Sequence, residues 1–212
     1  MIEEFLYQVI SHLIQVCMPV EYWFPTPVYY ATVDNFELIQ TEISTALDTL
    51  TQENAFAKAE GWGSSTHSVS DPTFADNVID RLNLTTFKDE IYLHIVEYMK
   101  GLNSTCTLKF RIASSWFTDT RPGQYTRIHC HGHSDISGVY YFKTNTKDGS
   151  LTFVSPTSSL ASTVFAKLRD TVSYPPAEGK IILFPGWLNH TVNENETADT
   201  RISVSFNVYF EK

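Results

Sequence analysis

Apolar positions along this chain recur first at helical spacing and then at strand spacing, with the change near residue 104. Phe36, Leu38, Ile39, Ile43, Ala46, Leu47 and Leu50 return every three or four residues, which predicts a helix over 36–50, capped by Asp34 or Asn35. A short helix follows near 73–82. Another covers 86–101, with Phe87, Ile91, Ile95 and Tyr98 on one side and Gly101 as its stop. His94 stands alone in that helix and reads as structural. Residues 1–17 carry a helical period of their own (Phe5, Val9, Ile10, Leu13, Ile14) and form an N-terminal helical extension, too short an apolar run to span a membrane. Between Met18 and Asp34 a strand-like run is broken by Pro25 and Pro27, which confines it to a sheet edge or a bulge.

From 104 onward the chain alternates short strands with turn signals: TLKFRIASSWF, QYTRIHC, ISGVYYFKT, SLTFVSP, KIILFPG and RISVSFNVYF. Pro122-Gly123, Asp148-Gly149, Pro175-Pro176 and Pro185-Gly186 punctuate them. That spacing predicts an antiparallel sandwich or small barrel. No repeat divides the chain, so residues 18–212 read as one domain, helices first and a β-core over about 104–212.

Composition narrows the function. At 212 residues and 24.1 kDa, with 42% hydrophobic and 14% aromatic content, the chain suits one sizeable core. A net charge of −9 leaves no basic stripe to displace counterions from a phosphate backbone, so nucleic acid is an unlikely partner on electrostatic grounds. Three scattered cysteines (Cys17, Cys106, Cys130) make no disulfide framework, which points to a reducing cytoplasm. The Asn-x-Ser/Thr triplets at Asn83, Asn103, Asn189 and Asn195 are then chance. The composition also allows a homodimer.

The chemistry concentrates at 121–142, RPGQYTRIHCHGHSDISGVYYF, where His129, His131 and His133 are followed by Asp135. Alternate residues of a strand share a face, so His129 and His131 can converge on one metal ion. His133 falls in a turn and faces solvent, while Cys130, on the opposite face from His129, belongs to the core. Downstream, GKIILFPGWLNHTVNEN brings His190, and the strand RISVSFN carries Arg201 with Ser203 two residues on. Two neutral imidazoles and usually one carboxylate bind one face of Fe(II) and leave open positions. An arginine on a neighbouring strand can hold the far carboxylate of a chelating 2-oxoacid through two parallel hydrogen bonds, and a serine can add a third.

These stretches, with FPTPVYY and the Gly-Trp loop at 61–62, resemble a family of 2-oxoglutarate/Fe(II)-dependent oxygenases common in bacteria and in tailed phages, over about Tyr22 to Phe210. The resemblance implies a mainly β, α+β fold: a double-stranded β-helix (jelly-roll, cupin-like) with N-terminal helices packed on one sheet. It implies Fe(II) and 2-oxoglutarate as cofactors, and hydroxylation of a C–H bond with release of succinate and CO2. Carried over by position, His129 and His190 resemble metal histidines, and Arg201 with Ser203 the cosubstrate anchor. Tyr140, Tyr125 and Asn207 become pocket residues. The usual pattern is His-x-Asp or His-x-Glu, and here His131 stands in the second place. Either His131 is the third ligand, or Asp135 reaches in, or water fills the position. Trp62 and His67, in the polar loop 61–71, are candidates to contact a small-molecule or peptidyl substrate.

Two other classes fit some of this. A cupin-type metal protein shares the His-x-His and the distal histidine but has no general need for Arg201. A β-sandwich structural protein leaves the shared order of His, His and Arg unexplained.

Overall fold

The computed structural model describes residues 26–58, 68–70, 76–102, 109–157 and 170–211. The N-terminal extension, Trp62 and His67 lie outside these residues. Helix α1 spans Phe36–Gln52, α2 Val78–Arg81 and α3 Thr85–Gly101. The strands are β1 Tyr29–Thr32, β2 Ala57–Lys58, β3 Ser68–Val69, β4 Phe110–Thr120, β5 Thr126–His129 and β6 Ile136–Lys143. They continue as β7 Leu151–Val154, β8 Thr171–Tyr174, β9 Lys180–Pro185, β10 His190–Val192 and β11 Arg201–Phe210.

Two sheets form a double-stranded β-helix. The larger has the order β1-β9-β6-β11-β4-β3-β2, the smaller β5-β10-β7-β8, and every strand pairing is antiparallel. β1 is an edge strand, and Pro27 lies two residues before it. β8 completes the small sheet opposite β7, and its sequence TVSY, exposed over three of four residues, gave no strand alternation to detect.

The large sheet buries both faces, and the strand period decides which residue goes where. Tyr140, Val204, Phe206 and Val208 point outward, under Ile39, Ile43, Phe87, Ile91 and Ile95 of α1 and α3. Burying each of these fully sequestered side chains contributes about 1.5–3 kcal/mol. Val139, Tyr141, Ile182 and Phe184 point inward, against Leu151 and Phe153 of the small sheet. The inter-sheet space is thus apolar at one end and carries the site at the other.

The two long helices cap each other. Glu42 of α1 accepts the amides of Thr86 and Phe87 at 2.9 and 3.0 Å, at the start of α3. Glu90 of α3 takes Asp34 N at 2.8 Å and Asn35 Nδ2 at 2.9 Å, at the start of α1. Asn35 occupies the predicted cap position, yet its side chain makes no cap bond because Glu90 holds it. His94 is buried, with Nδ1 2.7 Å from Tyr29 Oη, consistent with a structural role. Among the described residues no helix is long and apolar enough to cross a membrane. Asn195 is fully buried and hydrogen-bonded to Thr120 O and Asp199 O, so that triplet cannot carry a glycan.

Candidate metal and cosubstrate site

Three histidines meet where the sheets open. His129 ends β5, and His190 begins β10 directly opposite it in the ladder. His131 lies just past β5, on the turn that carries the chain to β6, and its amide is donated to Gly186 O at 2.8 Å. That bond ties the turn to the β9–β10 loop. Gly186 allows the approach, since a Cβ there would overlap the Ser134 backbone oxygen and hydroxyl. The two loops therefore fix His131 and His190 relative to each other.

The imidazole nitrogens of His129, His131 and His190 available for ligation all lie within 4.8 Å of one another. The Nε2 atoms of His129 and His131 are 3.3 Å apart. Each Nδ1 faces an oxygen: Arg127 O at 2.8 Å, Asn207 Oδ1 at 2.6 Å and Leu188 O at 2.9 Å respectively. A carbonyl or amide oxygen only accepts, so each ring carries its proton on Nδ1. The Nε2 lone pairs are then left for a metal. Burial lowers all three pKa values. His129 falls to about 4, with His131 adding to the shift and the Arg127 carbonyl opposing it. His131 is lowered by burial against the Asn207 bond, and His190 well below the ordinary value by burial and then by His129 and His131. Near neutral pH all three are uncharged, as ligation requires.

Asp135 lies outside this cluster. Its Oδ2 accepts Phe210 N at 2.8 Å, and its backbone bonds Val208 O and Gly186 N, which turn the carboxylate toward the end of β11. His133 is exposed, as expected of its turn position. Cys130 is exposed rather than core, because the face of β5 opposite His129 is open to solvent, as the exposed Ile128 shows.

Arg201 sits in the same cleft, buried to 2% exposure among Thr118, Thr126, Tyr141, Ser203 and Ser205. Nη1 donates to Asp148 O at 2.8 Å and Gly149 O at 2.6 Å, and Nη2 to Thr120 Oγ1 at 3.1 Å. The fork is thus partly consumed by the protein, in contrast to the free fork expected from sequence. Nε is buried without a hydrogen-bond partner among the described residues. Gly149, at φ +104, turns the loop so that both carbonyls reach the guanidinium. Burial lowers the Arg201 pKa, opposed by Tyr141 and Asp148, and burial pushes the Tyr141 hydroxyl up to about 12. An orphaned donor on a buried cation, beside three metal-ready imidazoles, fits a small acid that chelates a metal and carries a second carboxylate.

The other predicted pocket residues fall differently. Tyr140 points to the helix side, its ring 4.9 Å from Phe87, and its neighbour Tyr141 faces the cleft, paired across the ladder with Ser203. Tyr125 precedes β5 and does not line the cleft, whereas Thr126 does. Asn207 touches His131. Sequence reasoning missed Thr120, the Asp148-Gly149 carbonyls and Trp116, whose ring lies 5.7 Å from that of His131. Residues 114, 116, 118 and 120 share the inward face of β4, a period that would have found them.

Comparison with known proteins agrees with this geometry. Residues 114–207, which hold every residue of the cleft, match the family model described as "Putative 2OG-Fe(II) oxygenase". Over this segment the chain is similar to that family of 2OG-Fe(II) oxygenases. A Pseudomonas putida prolyl-4-hydroxylase is similar in fold, with TM-score 0.57 and 16% identity over 88% of this chain and 93% of that one. A Trichoplax adhaerens prolyl hydroxylase, solved with a hypoxia inducible factor peptide fragment, gives 0.60 and 11% over 96% and 92%. The nogalamycin epimerase SnoN, solved with Fe3+ and alpha-ketoglutarate, gives 0.61 and 15% over 87% and 79%. No curated protein matches this chain in sequence.

Proposed function

We propose that the chain, as one catalytic domain over 18–212, is an Fe(II)- and 2-oxoglutarate-dependent dioxygenase that hydroxylates a C–H bond and releases succinate and CO2. The carrying observation is the convergence of three Nε2 lone pairs in a cleft that also holds a buried arginine with an unpartnered Nε. His129, His131 and His190 would hold the iron, which when bound supplies oxygen activation at the positions the imidazoles leave open. Arg201 and Ser203 orient the far carboxylate of 2-oxoglutarate, and the Thr120 and Asp148-Gly149 contacts keep the guanidinium from swinging. Trp116, Phe184 and Leu151 shield the cleft from water. A free small molecule or a peptidyl residue is the substrate, and the net charge of −9 speaks against nucleic acid.

The test is succinate formation by purified protein with Fe(II), 2-oxoglutarate and oxygen. The reading predicts slow substrate-free turnover that needs both iron and 2-oxoglutarate and is lost in Arg201→Ala. Metal retention without any 2-oxoglutarate dependence would support a cupin-type protein instead.

A further inference from the structure

His129 and His190 each bond a backbone carbonyl two residues earlier, so their ring orientation follows from the local chain. His131 differs. Its Nδ1 partner is the side chain of Asn207, 76 positions away on another strand. Asn207 in turn sits in a polar row that crosses three strands of the large sheet. It faces Ser114 of β4 on one side and Ser137 of β6 on the other. Ser137 Oγ donates to Asn207 Oδ1 at 2.8 Å, and Asn207 Nδ2 donates to Ser114 Oγ at 3.2 Å. Ser137 Oγ also lies 3.1 Å from His131 Nδ1 and 2.9 Å from Ser134 Oγ. The ladder irregularity between Asn207 and Val208 holds Asn207 in register with Ser114.

A polar row crossing the sheet interior is retained at a cost that apolar residues of similar size would avoid. Its open end is His131. The two serines bond the amide from both sides, and in this arrangement its oxygen, not its nitrogen, faces the ring. With the amide reversed, Nδ2 would donate to His131 Nδ1, the ring proton would move to Nε2, and the metal-facing lone pair would vanish.

We propose that Asn207, set by Ser114 and Ser137, is the positioning residue that holds His131 in the ligating tautomer. This assigns the third imidazole its place through a distant side chain, where the other two rely on their own backbone. The assignment rests on the reading of His131 as a ligand.

The experiment is Co(II) titration of the metal-free full-length chain, followed by ligand-field absorption, on wild type, Asn207→Leu, Asn207→Asp and His131→Ala. Asn207→Leu keeps the volume and loses the acceptor, and should weaken Co(II) binding about 10- to 100-fold and alter the spectrum. Asn207→Asp keeps an acceptor and should bind within about threefold of wild type, because it still fixes the proton on Nδ1. His131→Ala separates the two claims: if it binds Co(II) like wild type, the three-histidine reading itself fails. If His131→Ala binds weakly while Asn207→Leu binds like wild type with an unchanged spectrum, the positioning role is overturned. Should Asn207→Leu not fold, weak binding by a folded Asn207→Asp overturns it equally.

Discussion

At the scale of single residues, the third ligand is the sharpest question, and the side chains answer it differently. His131 presents Nε2 to His129 Nε2, whereas the Asp135 carboxylate is engaged with Phe210 N. We predict that Asp135→Ala retains iron while His131→Ala binds it about tenfold or more weakly, the loss expected when a ligand set is disturbed. Metal content after dialysis against a weak chelator reads this directly, and equal retention in both variants would indicate a two-histidine site. His94 supplies a separate pH prediction. Burial lowers its pKa, against the pull of Glu90, Asp34 and Glu97. The fold therefore favours the neutral ring. Its stabilising contribution is present above the unfolded pKa of about 6.5 and is lost as pH falls through the lower folded value. Thermal melts from pH 8 to 5 should show stability falling at the acid end, with a shallower fall in His94→Gln.

Residue-level reading of the sequence went as far as strand alternation carries it. His129, His190, Arg201 and Ser203 are each fixed by a face of a regular strand, and all four line the cleft. Tyr140 and Tyr141 are adjacent, and only the register of β6 against β11, where Tyr141 meets Ser203, tells which one faces inward. Asp135 lies where alternation has ended, so its direction depends on tertiary hydrogen bonds that no local pattern encodes.

At the scale of elements, the turn after β9 and the turn before β6 act as one unit through the His131 N–Gly186 O bond. Gly186→Ala places a methyl group on the Ser134 backbone oxygen. It should cost roughly 1–3 kcal/mol in denaturant unfolding, the usual cost of forcing a packed region apart, and should weaken metal binding as well. Glu42→Ala makes the contrasting case. It removes the cap on α3, which lies on the outer face of the large sheet, and should cost about 1 kcal/mol while metal affinity stays unchanged. The helices were legible in sequence because their apolar period is long: 36–50 and 86–101 were predicted, against Phe36–Gln52 and Thr85–Gly101. Their mutual capping was not, since Glu42 and Glu90 read as ordinary surface acids until the two helices are set side by side.

At the scale of the molecule, the double-stranded β-helix explains why residues 60 to 70 positions apart in sequence form one site. The small sheet delivers His129 and His190 on adjacent strands, and the large sheet delivers Arg201 at the start of β11, with the cleft between them. The apolar interior beyond, around Val139, Ile182 and Phe153, keeps that cleft rigid. The central claim is that metal and 2-oxoglutarate bind here together, with Arg201 as the anchor. Its most direct test is anaerobic calorimetric titration of 2-oxoglutarate into the protein with and without Fe(II), for wild type and Arg201→Ala. The account predicts one equivalent of 2-oxoglutarate per chain, binding that needs the metal and is lost in Arg201→Ala. Binding that persists without metal, or is unchanged in Arg201→Ala, would contradict it.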